Sequence, residues 1–151
     1  MNEGNKSVYS NTTAKVRRIF QLLLGVFLLL AGISHLTWSR VEFLAQVPKW
    51  LPLNGNFVVI LSGITEILLG GALIFLTNQR VKVGWIVAVF FVLIFPGNIS
   101  QYLNGIDAFG LETDNARFIR LFFQPVLVFW ALWSTGAFKA CMGAKNQNLN
   151  K

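Results

Sequence analysis

Few residues in this chain can do chemistry, and most of them sit where charge is unwelcome. Glu66 stands in the middle of LSGITEILLGGALIFL (61–76), with Ser62 one turn before it. His35, the only histidine, closes GISHL (32–36). Asn98 and Gln101 lie in FPGNISQY (95–102), and Arg120 and Gln124 in RLFFQPVLVFW (120–130). A carboxyl and an imidazole can give and take protons, and amides and a guanidinium can orient a carbonyl or an anion. An ionised side chain at the centre of a membrane helix costs ~2.5 to 3.5 kcal/mol on insertion scales, so Glu66 is expected protonated and hydrogen-bonded inside a bundle. Each residue also has a structural explanation. Glu66 can be glue between helices, Asn98 can satisfy carbonyls freed by Pro96, and Arg120 can snorkel to the headgroups. At ~1.5 Å per helical residue, however, His35, Arg120 and Asn98 fall ~3 to 8 Å below the outer ends of their segments, Gln124 ~10 Å and Glu66 ~15 Å. Apart from Gln21, every strongly polar side chain in these segments lies in the outer half or at the middle. This agreement predicts a polar cavity opening outward, with Glu66 at its floor and Glu66 and His35 as the catalytic candidates. Asn98, Gln101, Arg120, Gln124, Ser62 and Trp50 are the binding candidates.

The segments that position these residues are membrane spans. Of the 151 residues 54% are hydrophobic and only 13% charged, with a mean hydropathy of +0.57, whereas a soluble domain carries about 25% charged residues. Four stretches, near 19–37, 57–76, 83–103 and 118–138, approach the roughly 20 apolar residues that a spanning helix needs. The predicted fold is an all-α membrane protein, a four-transmembrane-helix bundle over 18–138, flanked by polar tails at 1–17 and 139–151. The net charge of +7 does not indicate nucleic acid, because the basic residues flank apolar runs and form no stripe. With both termini cytoplasmic, Lys6, Lys15, Arg17, Arg18, Arg80, Lys82, Lys139, Lys145 and Lys151 lie inside, against Arg40, Lys49, Arg117 and Arg120 outside. This bias satisfies the positive-inside rule and predicts a multi-pass protein of the cell membrane. VRRIFQLLLGVFLLLAGISHL (16–36) has the paired arginines of an export signal, but its apolar run is long and no A-x-A site follows, so it is read as the first span. Cys141 is the sole cysteine, which excludes a dithiol relay and a cysteine metal site, and no metal site is expected.

Helical spacing places Gly25, Gly32 and His35 on one face, and Ser62, Gly63 and Gly70 on the face of Glu66. Small residues permit close approach in lipid, so both stripes should face the bundle. The outer segment VEFLAQVPKWLPLNGN (41–56) cannot be one helix through Pro48 and Pro52. It is expected to fold back over the mouth as a lid, with Trp50 partly buried.

GISHL, VPKWLP (47–52), SGITEILLGG (62–71), FPGNISQY and RLFFQPVLVFW, in that order, resemble the DoxX-like family of small four-helix membrane proteins. The resemblance runs from about residue 17 to 138. It implies a four-helix bundle whose polar elements are supplied by His35, Glu66, Asn98, Arg120 and Gln124. The usual Pro-Ala-Asn is Pro96-Gly97-Asn98 here. The family's name comes from a membrane subunit tied to thiosulfate:quinone oxidoreduction, and relatives are linked to membrane redox complexes or to the assembly of other membrane proteins.

Three functions follow as expectations. The first is a pocket for a lipophilic small molecule such as a quinone, in a membrane subunit or accessory of a redox system, with Phe91, Phe95 and Phe123 as walls. No cofactor is encoded, since one histidine makes no bis-histidine haem site and no flavin fingerprint is present, so electrons would come from a partner protein. The second is a non-enzymatic assembly factor or structural subunit, and the third a small proton-coupled carrier built on Glu66. Enzyme and non-enzyme both stay open at this stage.

Overall fold

The computed structural model describes residues 3–142, with side chains from residue 11 onward; Lys6, Lys145 and Lys151 of the charge count therefore lie outside the described side chains. Its elements are α1 (Glu3–Leu36), α2 (Arg40–Gln46), α3 (Gly55–Phe75), a short 3₁₀ turn (Thr77–Gln79), α4 (Arg80–Leu103) and α5 (Asp114–Thr135). Among the described residues there are no strands, and four helical stretches are long and apolar enough to cross a membrane: Asn11–Leu36, Gly55–Phe75, Thr77–Leu103 and Asp114–Thr135. Large apolar side chains such as Leu30, Leu68, Ile86, Phe122 and Phe129 point outward all round the bundle, as lipid-facing residues do.

Local chemistry sets the boundaries. Asn54 accepts hydrogen bonds from the Asn56 and Phe57 amides at the start of α3, and Thr113 accepts one from Ala116 at the start of α5. The fourth span therefore begins at Asp114, a full turn before the expected 118. It ends at Thr135 because Gly136 turns left-handed, with φ 79°. The segment expected to fold back as a lid contains a helix, α2, which stops before Pro48 as the proline requires.

α1 and α3 form one tightly packed antiparallel pair. The buried stripe of α3 is Val59, Gly63, Glu66, Gly70 and Leu73, alternating steps of four and three as a helix seam does. Gly32 lies against Gly63, and Gly25 against Gly70: a Cβ on Gly32 would come 2.5 Å from the Gly63 carbonyl oxygen, and one on Gly70 2.6 Å from that of Gly25. Backbone therefore meets backbone, and the expected small-residue faces are the contact. α4 and α5 make the second pair, with Gly84 seated against Thr135. The pairs are joined mainly through α1 and α5, where Trp130 Nε1 donates to the Phe20 carbonyl at 2.9 Å and Phe20 packs edge-on to Trp130 and Trp133. Contact between α3 and α4 is sparse. At the far end of α3, Gln21 donates to the Leu73 carbonyl at 2.7 Å and Arg18 to that of Ile74 at 2.9 Å. These bonds satisfy carbonyls that a helix end leaves free, which accounts for the one polar span residue placed away from the others.

Candidate functional site

A cavity of about 320 Å³ lies between the two helix pairs, at the end of the bundle that carries α2 and the 104–113 loop. Every element contributes to its lining except the 3₁₀ turn. Seven of the eight expected site residues line it: His35, Trp50, Ser62, Glu66, Asn98, Arg120 and Gln124. Apolar lining comes chiefly from Phe27, Leu28, Val59, Phe91, Ile94 and Leu127.

The polar groups divide into two walls. On the α1/α3 wall the glycine contact brings His35 beside Glu66, with Nε2 3.3 Å from Oε2. Both side chains are buried, and Glu66 Oε2, shut off from solvent, makes no hydrogen bond to the protein. On the other side of the imidazole, Ser62 Oγ is 3.3 Å from Nδ1 and also 2.9 Å from the Val58 carbonyl oxygen. With its one hydrogen given to that carbonyl, Ser62 accepts from Nδ1–H, and Nε2 is left as the nitrogen that can share a proton with Glu66. The hydrogen bond expected of Glu66 is not made at Oε2, which lies beside His35 without one.

On the facing wall, Asn98 Nδ2 donates to Gln124 Oε1 at 2.9 Å, and Gln124 Nε2 donates to the Phe91 carbonyl, in the turn that precedes Pro96. Gln124, rather than Asn98, thus serves a carbonyl near the proline. Arg120 reaches Asn98 Oδ1 and Gln46 Oε1 at 3.5 Å each, and its guanidinium lies 4.5 Å from the Phe109 ring centre. It does not snorkel away from the bundle; it lines the cavity.

The mouth is covered. Phe43 of α2 stacks on His35 and meets Phe109 edge-on, so that His35, Phe43, Phe109 and Arg120 form a continuous column from α1 to α5. Phe109 has φ 59°, a region a bulky side chain seldom adopts, and its amide donates to the Glu42 carboxylate. Arg117 fixes the same loop through Asp107 and, at 3.2 Å, the Glu112 carbonyl. Pro48 is buried and Val47 and Leu51 line the cavity, so the outer segment does close over it.

Several expectations are corrected in detail. Trp50 lines the cavity but is 69% exposed, not partly buried, whereas its neighbour Pro48 is the buried residue of the segment. Gln101 is buried behind the wall: it accepts from Gln46 and donates to the Ile106 and Ala108 carbonyls, which makes it an anchor for the loop. Phe123 points outward at 61% exposure and Phe95 is not in the lining; of the three expected aromatic walls only Phe91 serves. Phe123 adjoins Gln124 in sequence, but neighbouring residues in a helix point about 100° apart. Sequence reasoning missed Phe43 and Gln46. Their signal was present in the heptapeptide RVEFLAQ, whose Phe43 and Gln46 share a face at a spacing of three, directly before a proline.

A family model described as a domain of unknown function (DUF8561) matches residues 24–135, which contain both walls and the whole lid. Comparison with curated proteins and with solved structures gives no match.

Proposed function

The chain belongs to the DUF8561 family, and from that premise we propose that it is a membrane subunit whose pocket takes a lipophilic small molecule of the quinone type, in the service of a redox partner. The observation that carries the reading is the cavity itself, in which a proton-exchanging pair, Glu66 and His35, faces a wall of amide and guanidinium groups across apolar side chains. Binding sites for small organic molecules combine apolar walls with a few such convergent groups. At about 320 Å³ the cavity is at the small end of such sites and suits a ring rather than a whole isoprenoid lipid. A tail would leave past Phe27 and Leu93, lining residues that are 46% and 71% exposed on span surfaces. The chain's own part is to hold the ring, exclude water and exchange a proton through Glu66 as electrons arrive from the partner.

The kinship with DoxX-like bundles belongs to this proposal and rests on the five sequence stretches. The orientation, with both termini cytoplasmic and the pocket toward the outer face of the cell membrane, rests on the asymmetry of basic residues. Purification in mild detergent followed by solvent extraction tests the function. A quinone at about one per chain is expected. A protein partner in fixed ratio with no extractable quinone overturns the reading in favour of an assembly role.

A further inference from the structure

We infer that Arg120 forms a subsite for a ligand oxygen that carries or develops negative charge, opposite the Glu66–His35 wall. The inference rests on the pocket reading and specifies the chemistry of one end of the ligand. It follows from accounting for the hydrogens on the facing wall. Asn98 gives an N–H to Gln124, Gln124 to the Phe91 carbonyl, and Gln46 to Gln101, whose own N–H groups go to the Ile106 and Ala108 carbonyls. Each of these amides makes at least one short hydrogen bond to the protein as a donor. Arg120 is held more loosely: its Nε and Nη2 contacts are both long, at 3.5 Å, and Nη1 makes no hydrogen bond among the described residues. No described carboxylate pairs with it. The guanidinium carbon lies 4.5 Å from the Phe109 ring centre and Arg120 lines the cavity, so its N–H groups, which can grip two oxygens at once, are within reach of an occupant.

The opposite wall offers no competing contact at Glu66 Oε2, which is shut off from the cavity space and lies 3.3 Å from His35 Nε2. The occupant that suits the facing wall is a ring with a carbonyl or enolate oxygen toward Arg120. A hydroxylated quinone or a quinol on its way to losing a proton has this arrangement, and a neutral hydrocarbon does not.

Two soluble probes separate the outcomes: 2-hydroxy-1,4-naphthoquinone, which is an enolate at neutral pH, and 1,4-naphthoquinone. Binding is followed by tryptophan quenching of the full chain in phosphatidylcholine nanodiscs. The wild-type protein should prefer the enolate by about tenfold, a difference of about 1.4 kcal/mol. Arg120→Met should remove most of that preference. Arg120→Lys, which keeps the charge and loses the fork, should keep part of it. Equal affinity of the wild type for the two probes overturns the subsite while leaving the pocket, and holds whether or not the variants fold. An undiminished preference in Arg120→Met overturns the role of Arg120. Failure of the wild type to bind either probe overturns the pocket reading itself. Displacement of the bound enolate by soluble glycerol 1-phosphate at matched ionic strength assigns the subsite to a lipid phosphate and overturns the ring.

Discussion

Replacing Gly32 with alanine puts a methyl group 2.5 Å from the Gly63 carbonyl oxygen and 2.9 Å from the Ile67 amide nitrogen. Ordinary contact begins near 3.4 Å, so α1 and α3 must separate by about 0.9 Å, because the obstructing atoms are backbone and cannot rotate away. Overpacking of this kind usually costs about 1 to 3 kcal/mol, and the rigidity of the obstacle places Gly32→Ala at the upper end, about 3 kcal/mol. The same displacement carries His35, one turn along α1, away from Glu66, and the 3.3 Å approach is lost. Gly71→Ala is the matched control: a Cβ there meets nothing within 4 Å, and alanine favours the helix by about 0.5 to 1 kcal/mol. Unfolding in mixed micelles with rising sodium dodecyl sulfate, followed by far-ultraviolet circular dichroism, should move the midpoint down for Gly32→Ala and leave it level or raised for Gly71→Ala. Equal midpoints for the two variants would refute the claim that backbone contact at the glycines holds the pair together.

Glu66→Gln preserves shape and hydrogen bonding, so it should match the wild type in expression and thermal stability yet lose proton uptake on reduction of bound quinone, measured with a pH indicator in a weakly buffered sample. Glu66→Leu removes the neighbour of the His35 imidazole and should lower stability as well, by about 1 to 3 kcal/mol. Reporter fusions after Lys139 and within 77–82 should be cytoplasmic, and those near Gly105 external; an external signal after Lys139 refutes the orientation.

Much of this architecture was legible in the chain because lipid leaves a helix few choices. Apolar runs, single basic flanks and glycines at helical spacing each have one economical placement, and the faces holding Gly32, His35, Gly63 and Glu66 followed from spacing alone. Prolines 48 and 52 announced the break in the outer segment. What stayed hidden was set by tertiary contact. α2 has seven residues and no buried side chain of its own, so its helix is held by what Phe43 and Gln46 touch. The two-walled arrangement was equally invisible: depth along a span is a matter of counting, whereas the separation of Glu66 from Asn98 and Gln124 depends on how α3 and α4 diverge. Phe123 was misplaced because residue type was weighed above helical phase, and Gln101 because a polar side chain on the right face can still lie behind the lining.

The uneven joining of the four spans makes the protein a folded sheet of two stiff leaves. α1 with α3 is one leaf, bound by glycine contact, and α4 with α5 is the other. Glu66 and His35 ride on the first leaf and Arg120 on the second, so the gap between them is no property of any single helix. It is governed by the spine, where Phe20 lies against Trp130 and Trp133, and by the Phe43–Phe109 clasp at the open edge. Phe20, Trp130 and Trp133 are absent from the lining, so substitutions at this spine, which touch neither wall, are expected to change the width of ring the pocket accepts.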